Sequence, residues 1–176
     1  VLAFIMEPVG GASTGALVAP DSYYGRIREI CDEFGILLIY DEVMTSRLSP
    51  GGAQALVGVT PDMTTIGKYF GGGLPFGAFG GSPEWMARHD PLHPETINSG
   101  GTFNQNALSM AAAAAVLEEL WTPEQCVAHN ARGDALRESI DQLARQHGAP
   151  LQACGSGSLT TLIWQRDPVI GEIDDE

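Results

Sequence analysis

The chain has 176 residues and is 44% hydrophobic, enough to bury the core of one ordinary domain, or of one domain and the start of another. Its 22 Asp and Glu against 9 Lys and Arg leave a formal net charge of -13, a balance that repels polyphosphate backbones and anionic lipid surfaces and argues against nucleic acid or a membrane as partner. No apolar run approaches the roughly eighteen residues that span a bilayer, and no charged-then-apolar leader opens the chain, so it reads as soluble and untargeted.

The chain starts at Val1 rather than Met, inside "VLAFIM", and this reads as an internal piece of a longer polypeptide. The run "LAFIM" at 2–6 predicts a strand buried on both faces, ending at Glu7-Pro8. "DSYYGRIREICDEF" at 21–34 predicts a helix. Asp21 is its candidate N-cap, Tyr24, Ile27, Ile30, Cys31 and Phe34 fall at helical spacing, and Gly35 is the stop. "ILLIY" at 36–40 is a second buried strand. Strand, helix and strand at these lengths make a βαβ unit, hence an α/β fold with a largely parallel sheet.

"MTTIGK" predicts a third strand ending near Lys68, and "FGAFGG" at 76–81 a fourth. The alanine-rich stretch 104–120 predicts a helix. Thr122 and Pro123 then cap and open another, which runs to about Gln146 and closes at Gly148 and Pro150. Short strands follow in "LQAC" and "LTTLIW", and the acidic end "DPVIGEIDDE" predicts a solvated loop. A domain boundary near Thr122 divides the chain into 1–121 and 122–176.

Cys31, Cys126 and Cys154 are odd in number and lie far apart, which fits a reducing, cytosol-like compartment. The four histidines do not converge in sequence, and no metal site is expected.

In parallel sheets ligands sit beyond the carboxyl ends of the strands, so Glu7, Asp41-Glu42 and Lys68 are the positions to inspect. "GASTG" at 11–15 matches a serine-hydrolase elbow with Ser13 as nucleophile, but Pro20 delays the helix that such an elbow requires. "ILLIYDE" looks like the strand that holds magnesium in ATPases, yet Gly67-Lys68 is followed by Tyr69 and preceded at the wrong spacing, so the phosphate-binding loop fails. A third reading joins Asp41 to Lys68, the only lysine in the chain. Pyridoxal phosphate (PLP) enzymes need a lysine amine to hold the cofactor and move protons, and a carboxylate to keep its pyridine nitrogen protonated. The glycines at 71–73 would let the backbone turn closely around such a group.

"EPVGGASTG", "ICDEFGILLIYDEVMTSR", "GVTPDMTTIGKYFGGGLPFGAFGG" and "GGTFNQNALSMAAAA" occur in an order and spacing that resemble the class III aminotransferases, of PLP fold type I. The resemblance is close over about residues 1–120 and looser beyond. It implies that 1–121 is part of the PLP-binding large domain and 122–176 the start of the small C-terminal α+β domain. It further implies that Lys68 is the Schiff-base lysine, that Asp41 pairs with the pyridinium nitrogen and that Val43 packs on one ring face. Thr102 would bind the phosphate of the neighbouring subunit's cofactor, which implies a homodimer, and Glu7 would lie near the site.

Many members have Gln or His where Met44 stands and "GFGR" where this chain has "TSRL". The "DEVMT" subgroup includes glutamate-1-semialdehyde aminomutase and the β-amino-acid transaminases, and "TSRL" with "GTFN" looks more like the latter. The implied function is amino transfer between an amino acid, a β-amino acid among the candidates, and a carbonyl acceptor. An aminomutase-like isomerase and a non-catalytic truncated homologue are the alternatives. Segments outside the chain carry the rest of the cofactor's contacts in this family, so the 176 residues alone are expected to be inactive.

Overall fold

The computed structural model describes residues 2–11 and 16–164. Ser13 of the elbow pattern and the acidic end lie outside them. Strands β1 (Ala3–Met6), β2 (Leu37–Asp41), β3 (Met63–Gly67) and β4 (Gly77–Gly81) form one sheet in that order. β1 to β2 and β2 to β3 are parallel, and β4 returns antiparallel to β3. The βαβ unit is therefore present, with helix α1 (Asp21–Phe34) as its crossover.

Three details of the first unit differ from expectation. Among the described residues β1 lies at the end of the sheet, with Phe4 and Ile5 37% and 59% exposed. A continuous apolar run reports a strand that favours burial, whereas its place at the edge decides what covers it. Pro20, not Asp21, takes the N-cap position of α1, and no side chain caps it; Asp21 instead brings its charge into the first turn. Phe34 faces outward at 67% exposure, while Tyr24 and Cys31 turn inward. Gly35 stops the helix in the left-handed conformation, φ +59°, as its lack of a Cβ allows.

The main core gathers Cys31, Leu38 and Tyr40, with Met6, Ile27, Ile36, Val57 and Val59 around them. Asp62 locks β2 to the start of β3. Its Oδ2 accepts the Leu38 N–H at 2.7 Å and an Arg28 N–H at 3.0 Å, while its own N–H donates to the Leu38 carbonyl.

A 3-10 turn (Thr45–Leu48) and helix α2 (Gly52–Val57) connect β2 to β3, and α3 (Pro83–Met86) follows β4. Helix α4 (Ala107–Ala115) begins later than the composition suggests, because Asn106 caps it through the N–H groups of Leu108 and Ser109; a π-helical turn, Val116–Leu120, ends it. α5 (Pro123–Gln146) opens with Thr122 accepting the Gln125 N–H and with Pro123 in its first turn, where a missing N–H costs nothing. β5 (Gln152–Ser156) and β6 (Leu159–Ile163) form an antiparallel hairpin on α5. Among the described residues no helix is long and apolar enough to cross a membrane.

α5 carries Gly133 where a Cβ would collide with the Gly157 carbonyl and Ser158, so the hairpin turn sits directly against the helix backbone. One turn earlier, Asn130 donates to the carbonyls of Arg47 at 2.8 Å and Leu48 at 3.1 Å and accepts the Ser158 N–H at 2.8 Å. Helix, hairpin and the 45–48 turn are joined through that one amide.

Candidate active site

β2 and β3 are parallel neighbours, so their carboxyl ends open on the same edge of the sheet. Asp41 is the last residue of β2 and Lys68 the first after β3. Asp41 Oδ1 accepts two hydrogen bonds, from the Val43 N–H and the Thr65 hydroxyl, both at 3.1 Å. Its second oxygen has no protein donor among the described residues. Asp41 pairs with Thr65 in the strand register, which puts the hydroxyl beside the carboxylate.

Lys68 has φ +53°, in the left-handed region that a side chain with a Cβ seldom adopts. The strained residue is the lysine itself, between an extended Gly67 and a 3-10 turn (Lys68–Gly71). Its side chain is exposed and forms no ion pair among the described residues. Gly67 keeps the space beside it narrow: a methyl there would stand 3.1 Å from the Phe76 carbonyl and 3.7 Å from both Val43 methyls. Val43 thus borders the strand end from which Lys68 emerges. The glycines that follow have work within the chain, since a Cβ on Gly71 would reach within 2.7 Å of the Phe76 side chain and one on Gly72 within 3.1 Å of Val116.

The turn is held from behind. The Tyr69 hydroxyl donates to Ser46 Oγ at 3.3 Å, and its ring stacks at a tilt on Trp121, with centroids 4.9 Å apart. Burial pushes the Tyr69 phenol up to about 12 despite the hydrogen bond to Ser46. Met44 packs on the small core of Val9, Ala16, Leu48, Ala53 and Leu159, and that is its visible role.

Glu42, next to Asp41, is fully buried. It accepts the N–H groups of Ala53 at 2.6 Å and Gln54 at 2.9 Å and the Thr45 hydroxyl at 3.2 Å. Those amides open α2, so Glu42 serves as a remote cap on the positive end of that helix. Gly52, at φ +76°, leaves room for it. The sequence pointed to the Asp41-Glu42 pair as strand-end chemistry, and only the first carboxylate faces the opening.

Glu7 and Thr102 stand apart from this group. Glu7 follows β1 and lines up with Asp41 along the sheet edge, but its carboxylate lies over Gly11 in a separate cleft of about 1120 Å³ bordered by Leu17, Tyr23 and Arg26. Thr102 sits in an exposed turn closed by the Asn104 N–H on the Gly101 carbonyl, and no contact among the described residues joins it to Asp41 or Lys68. Thr65 was not anticipated; it stands three residues before Lys68, and its link to Asp41 depends on strand register. Among the described residues no group of three or more His, Cys, Asp and Glu could hold a metal ion.

The family model for "Aminotransferase class-III" matches residues 1–168. The chain is 44% identical over 155 residues to a β-phenylalanine transaminase of Variovorax paradoxus, covering 88% of the chain and 35% of that protein. A crystal structure of a β-phenylalanine aminotransferase from that organism superposes with a TM-score of 0.86 at 42% identity, over 94% of this chain and 38% of that one. A glutamate-1-semialdehyde 2,1-aminomutase of Desulfatibacillum aliphaticivorans is 40% identical over 168 residues, 95% of the chain and 39% of that protein. A transaminase solved with PLP bound matches with a TM-score of 0.83 at 32% identity, over 92% of this chain and 38% of that one. The chain spans less than two-fifths of the length of each of these proteins.

Proposed function

The chain belongs to the class-III aminotransferases, and from that membership we propose that it carries the cofactor lysine and its counter-charge for a PLP-dependent transfer of an amino group between an amino acid and a carbonyl acceptor. The observation that carries this reading is the pairing of the chain's one lysine, strained at φ +53° on the end of β3, with Asp41 on the end of the adjoining parallel strand. The donor set suits the cofactor. An exposed primary amine, a carboxylate with one free oxygen and a glycine that leaves a narrow slot beside Val43 meet the needs of an aldehyde, a pyridinium nitrogen and a flat ring.

When bound, PLP supplies an aldehyde that amines can join and a pyridinium ring that withdraws electrons from the carbon bearing the amine. Lys68 Nζ would hold the resting cofactor covalently and, once freed by the incoming amine, would carry the proton from the amine-bearing carbon of the donor to the cofactor's former aldehyde carbon, on the other side of the nitrogen. Asp41 Oδ2 would accept the pyridinium N–H and keep the nitrogen charged. The two hydrogen bonds on Oδ1 fix its direction before the substrate arrives, so little reorganisation is needed when charge develops. Val43 would bear on one face of the ring. Thr102, which is exposed, would donate its hydroxyl to the phosphate held by the second subunit of a homodimer. Glu7, whose carboxylate lies over Gly11 in the neighbouring cleft, would act only by ordering the chain beside the site. Residues 122–176 begin the small domain, and the buried free thiols of Cys31, Cys126 and Cys154 suit a cytoplasmic protein.

The similarity to the Variovorax enzyme favours a β-amino acid as donor. The aminomutase relative supports a second reading, in which the same groups return the nitrogen to the substrate that supplied it. Borohydride reduction of the polypeptide as encoded, incubated with PLP, tests the anchor. Peptide mapping should place the reduced adduct on Lys68, and its absence from a folded protein would reject the assignment. Incubating the loaded enzyme with β-phenylalanine and a 2-oxo acid, and separately with glutamate-1-semialdehyde, then separates the two reactions.

A further inference from the structure

Five side chains from three parts of the fold converge beside α5. Arg47 comes from the 3-10 turn after β2, His129 and Arg132 from α5 itself, and Ser158 and Thr160 from the β5–β6 hairpin. They line a cleft of about 610 Å³ in which, among the described residues, no Asp or Glu takes part. In a chain of net charge -13, a lining of two guanidiniums and an imidazole with no carboxylate in it is the reverse of the average surface.

Two atoms in this lining lack partners. Arg47 Nε and Ser158 Oγ are both buried and make no hydrogen bond among the described residues. Neither Arg47 nor Arg132 forms an ion pair among the described residues, although Arg28, Arg88 and Arg137 each do. A buried donor left unmade costs free energy, and a buried guanidinium costs more. Burial holds the Arg47 guanidinium below its ordinary range, and the neighbouring Tyr69 phenol offsets only part of that effect. The arrangement is also held in place. The Arg47 carbonyl is tied to Asn130, and Ser158 to the same amide through its N–H, so the two orphaned donors keep their separation.

We infer that this cleft is a binding site for a small oxyanion, a carboxylate or a phosphate. Its oxygens would accept from the Nε edge of Arg47 and from Ser158 Oγ, with Arg132, His129 and Thr160 closing around the remaining charge. An arginine presenting its Nε edge offers two parallel donors, a geometry that matches a carboxylate or phosphate and that a lysine cannot reproduce. The site does not depend on the chemistry assigned to Lys68 or Asp41. The oxyanion could be free in solution or a carboxylate of the same polypeptide, and the test separates the two.

The experiment is calorimetric titration of the PLP-loaded protein, as encoded, with inorganic phosphate and with succinate at constant ionic strength. Loading with PLP keeps phosphate from the cofactor's own phosphate site. Saturable binding that weakens about tenfold or more in Arg132→Gln, on the exposed side of the cleft, establishes a free-anion site. Arg132→Lys should recover only part of the affinity, and circular dichroism confirms that both variants fold. Binding unchanged in Arg132→Gln places the anion elsewhere and overturns the inference. If neither anion binds, a crystal structure decides. A protein carboxylate within about 3 Å of Arg47 Nε supports the site with an internal occupant, whereas water or an apolar group there overturns it.

Discussion

Thr65 donates its hydroxyl to Asp41 Oδ1 across 3.1 Å, tying the carboxylate at the end of β2 to the strand that leads into Lys68. One hydrogen bond therefore couples the two groups on which amino transfer would depend. Thr65→Val keeps the shape and removes the donor. It should weaken PLP retention about tenfold and shift the absorbance titration of the bound cofactor, while Thr65→Ser restores both. A purely packing role would leave the absorbance titration of Thr65→Val unchanged, and that result would remove Thr65 from the site.

Lys68→Arg keeps the charge but has no amine able to add to an aldehyde or to shuttle its proton. Turnover should fall by at least about 10²- to 10⁴-fold while PLP still binds through its other contacts. Asp41→Asn leaves Lys68 in place and removes the counter-charge, with an expected loss on the order of 10²- to 10³-fold in kcat together with weaker retention. Steady-state rates and cofactor stoichiometry by absorbance read both. An Asp41→Asn enzyme of normal rate would make Asp41 a strand-end cap and nothing more.

Glu42→Ala should act on stability and leave chemistry alone. Three donors that now meet the buried carboxylate, the Ala53 and Gln54 N–H groups and the Thr45 hydroxyl, would be left without an acceptor. The expected loss is about 2 kcal/mol or more, which lowers the melting temperature by about 2–4 °C for each kcal/mol in a chain of this size. Differential scanning calorimetry measures it. A melting temperature equal to the parent's would mean that water satisfies α2 equally well.

Burial raises both Tyr40 and Tyr69 from the ordinary 10.0 to about 12. Each phenol holds its proton more tightly folded than unfolded. The resulting stability is fully present below pH 10 and is lost as pH rises through about 12. Chemical unfolding at a series of alkaline pH values should show stability falling across that window, and Tyr69→Phe should flatten the slope. If every tyrosine ionised together near pH 10 in a protein still native by circular dichroism, the burial of these phenols would be contradicted.

Much of this site could be read from residue order. A lone lysine after a β-branched run, and an Asp closing an apolar run of strand length, put Lys68 and Asp41 at neighbouring strand ends, because parallel strands open their carboxyl ends on one side; only the four blocks that resemble the class III aminotransferases gave the pair a role. Thr65 was not legible, since its partner is set by strand register. Glu42 misled for a related reason: alternation along β2 turns adjacent residues to opposite faces, so a "DE" pair cannot both face the opening. Pro20 displaced Asp21 from the cap of α1 because the helix starts directly after the proline, and Asn106 set the start of α4 where alanine content alone suggested an earlier one. The exposure of Phe4 and Ile5 goes with the place of β1 at the end of the four described strands, in a chain that spans less than two-fifths of its relatives' length.

The amide of Asn130 works as a rivet through three plates. Its nitrogen grips the backbone at Arg47 and Leu48, its oxygen grips the hairpin at Ser158, and both sit on α5. Rocking of the hairpin against the strand-end turn would have to shear these bonds together, so the two should loosen in one step on heating, and the cleft between them should keep its width until the whole joint gives way.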